Sequence, residues 1–221
     1  MAQVFPRSTN LISRLTLYGL ITAPLIAFGI GAIVVRSPWS TGVGDHPAQP
    51  VEFSHLHHVT DDGIDCRYCH ASVETSSFAG MPSTSTCMNC HRQIWNESAA
   101  LQPVRDSFST GQPLACTRVH NLPDYVFFDH SIHVQKGVGC STCHGRVDLM
   151  NATTKAESLQ MQWCIDCHTH PQDNLRPQDQ IFNMAWQPPR DQLEQGLKLL
   201  ADYHISTNRL AQLRDCSMCH R

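Results

Sequence analysis

The sequence has no excess of either charge and few aromatic side chains. Its 16 lysines and arginines against 19 aspartates and glutamates give a formal net charge of −3. A balance this close to neutral excludes the strongly basic field of a nucleic-acid-binding chain. Phenylalanine, tryptophan and tyrosine make up 7 % of the residues, and no segment alternates apolar and polar residues clearly enough to predict a strand. A sheet-based fold is therefore not expected.

Cysteine and histidine are abundant instead, with 11 and 14 residues. Ten of the cysteines fall in five copies of Cys-x-x-Cys-His, which are Cys66/Cys69/His70, Cys87/Cys90/His91, Cys140/Cys143/His144, Cys164/Cys167/His168 and Cys216/Cys219/His220. A zinc ribbon needs no histidine after every second cysteine, and a disulfide framework leaves the five histidines unexplained. Cys116 is the one cysteine outside the motifs, and we expect it to be a buried free thiol.

Cys-x-x-Cys-His is the attachment signature of a c-type haem. On a helix, residues i, i+3 and i+4 share one face. Both sulfurs can therefore form thioethers with one porphyrin while the histidine binds its iron. The sequence predicts five covalently attached haem c groups, with proximal iron ligands His70, His91, His144, His168 and His220.

Two further histidines stand in a segment that precedes the first motif and recurs before the third. These head segments are residues 53–59 and 128–134, and each begins with phenylalanine. The shared three-residue spacing indicates four distal iron ligands, and it favours His58 over its neighbour His57; the four are His55, His58, His130 and His133. Head segment and haem motifs together form an internal repeat over about 51–95 and 126–170, and a fifth haem would be held at 216–220.

The fifth distal ligand has several candidates. We predict His120, with His204, Met150 and Met161 as alternatives, and a methionine ligand would raise the potential of its haem. A haem with two strong axial ligands has no open position for a substrate. The surplus of histidine, together with a histidine in all five motifs, therefore indicates an electron relay. An enzyme such as a multihaem nitrite reductase needs a five-coordinate haem, often with lysine in the motif.

One long uncharged run lies at residues 15–35, and as a helix it is long enough to cross a hydrocarbon layer of about 30 Å. Arg7 and Arg14 precede it and Arg36 alone follows closely, so residues 1–14 are expected in the cytoplasm. Haem attachment outside the cytoplasm demands the same orientation. A cleaved signal peptide is the alternative, but the run exceeds the usual apolar region and no clear cleavage site follows.

The prolines and glycines of residues 36–50 predict a linker, which leaves residues 51–221 as a pentahaem domain. That length is too short for a normal core around each of five haems, so the porphyrins themselves should form the core. We predict a mainly α fold with much coil and little or no sheet, behind a single N-terminal transmembrane helix. The clearest helix of the domain is predicted from about Asp191 to Ile205.

The repeat resembles the haem units of class III multihaem cytochromes. More closely, the single span, the five motifs and the segments around Cys66–His70 and Val119–Val126 resemble the pentahaem cytochrome c subunit (A subunit) of alternative complex III. That family implies a complex of the bacterial cytoplasmic membrane that oxidises quinol and passes electrons to a periplasmic carrier or an oxidase. The haem domain would lie on the periplasmic side. Its implied partners are an iron–sulfur/molybdopterin-like subunit, polytopic quinol-binding subunits and a monohaem cytochrome c.

A second interpretation is a small membrane-anchored quinol dehydrogenase that feeds a periplasmic reductase. That group also combines one anchor with four or five haems, but it oxidises quinol itself. Its members tend to carry methionine two residues after the first haem histidine, where this chain has Ser72.

Overall fold

The computed structural model describes residues 4–6, 8–206, 208 and 210–220. Arg7, one of the residues on which the predicted orientation depends, lies outside this part of the chain. The chain divides into two units, Met1–Gly42 and Val43–Arg221.

The first unit consists of two helices, α1 (Thr9–Arg36) and α2 (Pro38–Thr41). Helix α1 contains the predicted span 15–35, continues through Pro24, and has no buried side chain. Its length and apolar composition are those of a helix that can cross a membrane. The residue that follows its last turn is Ser37, whose extended backbone is the conformation favoured before a proline.

The second unit is built from short helices. They are α3 (Cys66–Cys69), α4 (Thr84–His91), α5 (Gln102–Thr110), α6 (His130–Gln135), α7 (Cys140–His144), α8 (Met161–Thr169), α9 (Gln192–Asp202) and α10 (Cys216–Cys219). A π-helical turn covers Leu56–Asp61, and 3₁₀ turns cover Ala99–Leu101, Val147–Leu149, Pro171–Asp173, Gln178–Gln180 and Gln212–Arg214. Within the described residues, extended pairing is limited to the isolated bridges Val126–His220 and Val138–Leu175. The predicted helical, sheet-free fold with much coil is confirmed.

Residues 43–50, which the sequence places in a linker, are hydrogen-bonded into this second unit. The Gly44 N–H donates to the Lys155 carbonyl at 2.7 Å, and the Lys155 N–H donates to the Asp45 carbonyl at 3.0 Å. The side chain of Gln49 donates to the carbonyl of Thr117 at 2.9 Å. The entry to the haem domain is therefore fixed by pairing with distant residues of the same unit.

The apolar core of the described residues is sparse. Two small clusters are buried, and their members are Val73, Val134 and Ile181 in one and Met88, Leu101 and Val104 in the other. Large side chains elsewhere are exposed, including Trp95 at 70 % and Met161 at 65 %. Packing of this extent leaves most of the domain without a protein core, as expected for a chain that folds around cofactors.

Two local expectations can be compared with the structure. Helix α9 forms as predicted, and of its leucines Leu200 is buried while Leu193 and Leu197 are more than half exposed. Gly196 on this helix lies against the backbone of Gln172, where a Cβ would overlap the carbonyl. The prediction of a buried Cys116 is wrong, because its side chain is exposed.

Candidate haem sites

Each of the five motifs occupies a helical turn or the end of one. The His70 N–H donates to the Cys66 carbonyl at 2.9 Å, and the His220 N–H donates to the Cys216 carbonyl at 2.8 Å. These i to i−4 bonds place the two sulfurs and the imidazole of a motif on one face. None of the ten motif cysteines is paired in a disulfide, so all ten sulfurs are available for thioethers.

Three pairs of imidazoles from distant parts of the chain face each other at similar distances. The ring centres lie 6.1 Å apart for His58 and His91, 6.4 Å for His130 and His144, and 6.1 Å for His133 and His168. An imidazole nitrogen binds a transition metal at about 2 Å, so two imidazoles on opposite sides of one ion have ring centres roughly 6 Å apart. Each pair therefore leaves the space that one axially ligated iron requires.

The fourth pairing follows from the repeat. The repeat assigns His55 to His70, and burial followed by the electrostatic effect of His70 lowers the pKa of His55 to about 4. The first histidine of each head segment thus belongs with the first motif of its unit, and the second histidine with the second motif. The structure brings three of the four predicted distal histidines to face a motif histidine, and the repeat assigns the fourth.

Most of these imidazoles are oriented by a hydrogen bond from the other ring nitrogen. Nδ1 lies 2.6–3.3 Å from a backbone carbonyl oxygen in His58, His70, His91, His130, His133, His168 and His220. A carbonyl can only accept, so Nδ1 carries the proton and Nε2 is left unprotonated. This is the tautomer that a metal-binding histidine uses. The residues present therefore fit an iron held through Nε2.

A phenylalanine aligns the histidines of each head segment. Phe53 stacks on His58 with ring centres 4.4 Å apart, and it meets His55 edge-on at 4.9 Å. Phe128 stacks on His133 at 4.5 Å and meets the first histidine of its segment edge-on at 4.7 Å. The phenylalanine is thus part of the site, and its recurrence in the sequence is the signal for this role.

His57 points elsewhere. Its side chain is 58 % exposed and lies 3.6 Å from the carboxylates of Asp61 and Asp62. The three-residue spacing of the repeat already favours His58 over His57 as a ligand, and His58 is the residue that faces His91.

His120, predicted as the fifth distal ligand, is placed beside His144. The two ring centres are 4.4 Å apart, which is too close for an iron between them. The Nε2 of His120 accepts the Ala156 N–H at 3.4 Å, and burial followed by the charge of Lys155 lowers the pKa of His120. A ligand role at the fifth motif stays a prediction.

The alternatives to His120 lie in different surroundings. His204 is exposed, and its φ of 52° places it in the left-handed turn that ends α9. The Met150 sulfur accepts from the N–H and hydroxyl of Thr154 at 3.5 Å. Met161 is largely exposed at the start of α8.

The fifth motif is covered by a segment that sequence reasoning did not identify. The Phe127 N–H donates to the Cys219 carbonyl at 2.8 Å, and the Tyr125 carbonyl lies 3.3 Å from Nδ1 of His220. The Tyr125 ring is also 5.7 Å from the His220 ring. The position of Tyr125 shortly before the head segment was the available signal, but its contact depends on the chain terminus returning to it.

Two comparisons with known proteins agree with this geometry. A family model for cytochrome c7 and related cytochrome c matches residues 126–221. The chain is also 37 % identical, over 187 residues, to the menaquinone reductase multiheme cytochrome c subunit of Nitratidesulfovibrio vulgaris, an alignment that covers 78 % of this chain and 77 % of the relative. The chain belongs to the multihaem cytochrome c family. It therefore binds c-type haem covalently and transfers electrons.

The motifs of this multihaem cytochrome are neighbours in a definite order. The amide of Asn89 in the second motif donates to the hydroxyl of Tyr68 in the first at 3.1 Å. Burial and then the nearby Cys87 raise the pKa of Cys69. The first and second motifs are therefore adjacent.

The remaining motifs continue from the first. Burial, followed by the proximity of Cys66, raises the pKa of Cys140 to about 11. Burial, followed by the thiols of the fourth motif, raises the pKa of Cys143 to about 12. Burial, followed by the proximity of Cys219 in the fifth motif, raises the pKa of Cys164. These mutual effects link the first motif to the third, the third to the fourth and the fourth to the fifth, and we infer a series that runs from the second motif to the fifth.

Exposure follows the same order. Cys90 and Cys216 are exposed, whereas the other motif cysteines are of intermediate exposure. These two residues belong to the second and fifth motifs, which stand at the ends of the series. A multihaem chain with accessible ends and a covered middle can exchange electrons with partners at two separate places.

Proposed function

We propose that the chain is a membrane-anchored pentahaem c-type cytochrome that relays electrons within a quinol-oxidising complex similar to alternative complex III. The observation that carries the proposal is the set of facing imidazoles, with ring centres 6.1–6.4 Å apart in three pairs. Where a histidine of the chain would bind the iron from each side, a substrate would have no place to bind. Electron exchange is the remaining chemistry.

The side chains have distinct roles in this proposal. The ten motif cysteines hold the five haems, the motif histidines are proximal ligands, and His55, His58, His130 and His133 are distal ligands. Bound haem c supplies one-electron redox chemistry. Carbonyl oxygens fix the tautomer of the imidazoles, and Phe53 and Phe128 hold the ring planes. The chain thus fixes ligand identity, orientation and the spacing of successive sites.

The spatial order of the motifs supports one path through the molecule. Electrons would pass between the second and fifth motifs by way of the first, third and fourth. Because the third motif is in the middle, replacing Cys140 and Cys143 by alanine should divide the path, whereas replacing Cys87 and Cys90 should only shorten it. We expect fast electron equilibration among the four remaining haems in the second variant and two separate groups in the first, as followed by pulsed reduction and optical detection. Equilibration in both variants would refute this path.

Helix α1 supports a single-pass anchor in a bacterial cytoplasmic membrane, with the haem domain on the periplasmic side where c-type haem is attached. The partners would be an iron–sulfur/molybdopterin-like subunit, polytopic quinol-binding subunits and a monohaem cytochrome c. A soluble carrier or an oxidase would then accept the electrons. The chain itself would not be an enzyme.

The name of the relative supports a second direction of transfer. That protein is a subunit of a menaquinone reductase, so the same relay could deliver electrons toward quinone instead of taking them from quinol. The relay itself is unchanged, and the midpoint potentials of the five haems relative to the quinone pool decide the direction. A redox titration of the haem-loaded protein measures them.

Purification from detergent-solubilised membranes tests the proposal against a small quinol dehydrogenase. We expect five haems per chain, co-purification with polytopic subunits, and no quinol oxidation by the chain once it is separated from them. Quinol oxidation by the separated chain would favour the dehydrogenase. Fewer than five covalently held haems would overturn the pentahaem relay.

A further inference from the structure

The loop that follows the third motif is bonded to the first head segment. The Leu56 N–H donates to the Met150 carbonyl at 3.1 Å, and the Ser54 hydroxyl donates to the side-chain oxygen of Asn151 at 2.9 Å. This loop belongs to the second repeat unit, whereas the head segment belongs to the first. The second unit therefore helps to position a ligand segment of the first.

The second head segment is held by the loop after the first motif in an equivalent way. The Ser131 N–H donates to the Ser76 carbonyl at 3.2 Å. Ser131 directly follows the first histidine of its head segment, as Leu56 does, and Ser76 and Met150 each lie six residues after a motif histidine. The two contacts correspond residue by residue, so each unit supports the first distal histidine of the other.

The correspondence ends at the imidazoles themselves. Nδ1 of His130 lies 2.8 Å from the backbone carbonyl of Ser77. Asn151 is the counterpart of Ser77 in the sequence, but Nδ1 of His55 lies 3.0 Å from the hydroxyl of Thr153 instead. The four predicted distal histidines all lie in the described part of the chain, and His55 is the one whose Nδ1 faces a hydroxyl.

A hydroxyl in this place can affect both the ring and the iron it binds. When Nε2 binds a metal, Nδ1 carries the proton and can only donate, so the Thr153 hydroxyl accepts. Acceptance of this hydrogen bond makes the imidazole a more basic ligand. A more basic ligand favours the oxidised iron and lowers its reduction potential. The β-branched side chain of Thr153 is also stiff at χ1, which fixes where the acceptor lies.

We propose that Thr153 is a positioning residue for iron-bound His55, and that the hydrogen bond it accepts lowers the reduction potential of the haem on the first motif. The inference rests on the proposed function, in which the repeat assigns His55 to that haem. A side chain of the second repeat unit would thus tune a haem of the first. Loss of this one hydroxyl would change one potential without removing a ligand.

Redox titration of the full-length, haem-loaded protein tests the inference in Thr153→Val and Thr153→Ser. Valine has nearly the shape of threonine but no hydroxyl, so it leaves the Nδ1–H of His55 without its acceptor. We expect one midpoint to rise by a threefold or larger change in the reduction equilibrium, which is about 28 mV at 59 mV per factor of ten for one electron. Thr153→Ser keeps a hydroxyl and should leave every midpoint within a twofold change of the wild type.

The matched control is Thr60→Val. The Thr60 hydroxyl donates to the Asp148 carbonyl at 2.7 Å, so this variant removes a hydrogen bond between the same head segment and the same loop that does not involve an imidazole. Every midpoint should stay within a twofold change of the wild type. Five haems in Thr153→Val with no midpoint raised beyond the Thr60→Val control would overturn the inference and leave Thr153 a packing residue.

Haem content and spin state, measured on the same samples, separate this failure from a failure of the proposed function. A wild-type chain without haem on the first motif, or fully low-spin spectra in His55→Ala, would overturn the ligand assignment as well. If Thr153→Val does not assemble with five haems, a high-resolution map of the wild-type haem-loaded protein decides. The Thr153 oxygen about 3 Å from Nδ1 of an iron-bound His55 supports the inference, and a water or a carbonyl in that place refutes it.

Discussion

The two repeat units place the same pair of histidines with different turns. In the first unit Leu56–Asp61 forms a π-helical turn, whereas in the second His130–Gln135 forms an ordinary α-helix. The ring geometry is nevertheless the same. Phe53 and Phe128 stack on the second histidine of their head segments at 4.4 and 4.5 Å, with interplanar angles of 23° and 26°.

The difference in turns accounts for the different number of residues between each head segment and the motif that follows it. Six residues separate the first head segment from Cys66, and five separate the second from Cys140. A π turn closes its hydrogen bond over five residues instead of four, and the Asp62 N–H donates to the His57 carbonyl in this way at 2.9 Å. The extra residue is absorbed after the histidine pair. Spacing within the pair is therefore constrained more tightly than spacing from the pair to the motif.

The motifs that follow differ in how their first turns are held. Asp65 caps the first motif and bonds locally to Arg67, with side-chain distances of 2.8 and 2.9 Å. The corresponding position before Cys140 is Gly139, and the arginine there comes from residue 176. A local, exposed ion pair in one unit is thus replaced by a buried long-range charge in the other.

Loss of the second histidine of a head segment should have the largest effect. In His58→Ala or His133→Ala, the imidazole that faces His91 or His168 is removed, while the thioether attachment remains. We expect unchanged haem content and one haem converted from low spin to high spin in each variant, as seen by electron paramagnetic resonance and absorption spectra. His57→Ala is the control, because His57 is an exposed residue of the first head segment. It should change neither the haem content nor the spin state of any haem. Fully low-spin spectra in both variants would refute the pairing.

The head segments and motifs could be predicted because their geometry is local. Within one turn, spacing alone decides which side chains share a face, and the Phe–His repeat shows that two segments do the same work. The one-residue difference in the spacing from histidine pair to motif also indicates an altered turn in one of the two units. These parts of the candidate site needed no knowledge of the tertiary structure.

The parts of the fold and of the candidate site that could not be predicted depend on contacts between segments distant in the sequence. Tyr125 reaches His220 only because the end of the chain returns to it, and Arg176 reaches the third motif only through the bridge between Val138 and Leu175. No local pattern indicates either contact. The buried position expected for Cys116 was wrong for the same reason, because residue type alone does not place a side chain in a domain with so little protein core.

The next largest effect is expected on the free energy of unfolding, when alanine replaces either of two glycines in matching positions of the repeat units. Gly63 and Gly137 end the turns after the two histidine pairs, with φ of 70° and 84°. Alanine in this conformation costs about 1–2 kcal/mol. At Gly137 a Cβ would also overlap the Tyr203 ring, whereas nothing lies within 4 Å at Gly63. We therefore expect Gly137→Ala to lower the free energy of unfolding more than Gly63→Ala.

Denaturant unfolding of the haem-loaded proteins measures both losses, with haem content checked before each titration. The Gly63→Ala value gives the backbone cost alone, so the excess in Gly137→Ala is the cost of displacing Tyr203. Equal losses would mean that the two turns are packed alike, and the comparison between the units would fail at this point.

The smallest effect is expected at the exposed cap of the first motif. The hydrogen bond and then the charge of Arg67 lower the pKa of Asp65 to about 2. A carboxyl with a lowered pKa in the folded state stabilises the fold above its unfolded pKa of about 4. That contribution is lost as the pH falls toward 2. Since both side chains are about half exposed, solvent screening keeps it small.

The stability difference between wild type and Asp65→Ala should therefore be largest near pH 7 and should shrink as the pH falls from about 4 toward 2. Chemical unfolding of the haem-loaded proteins over this range measures it. Asp65→Asn is the control, because an asparagine can still accept the N–H of residue 67 as a helix cap without titrating. The difference in unfolding free energy between Asp65→Asn and wild type should therefore report the loss of the carboxylate charge alone. A loss in Asp65→Ala that does not change with pH would mean that the cap, and not the ion pair, holds the first motif, which would remove the electrostatic contrast with Gly139 and Arg176.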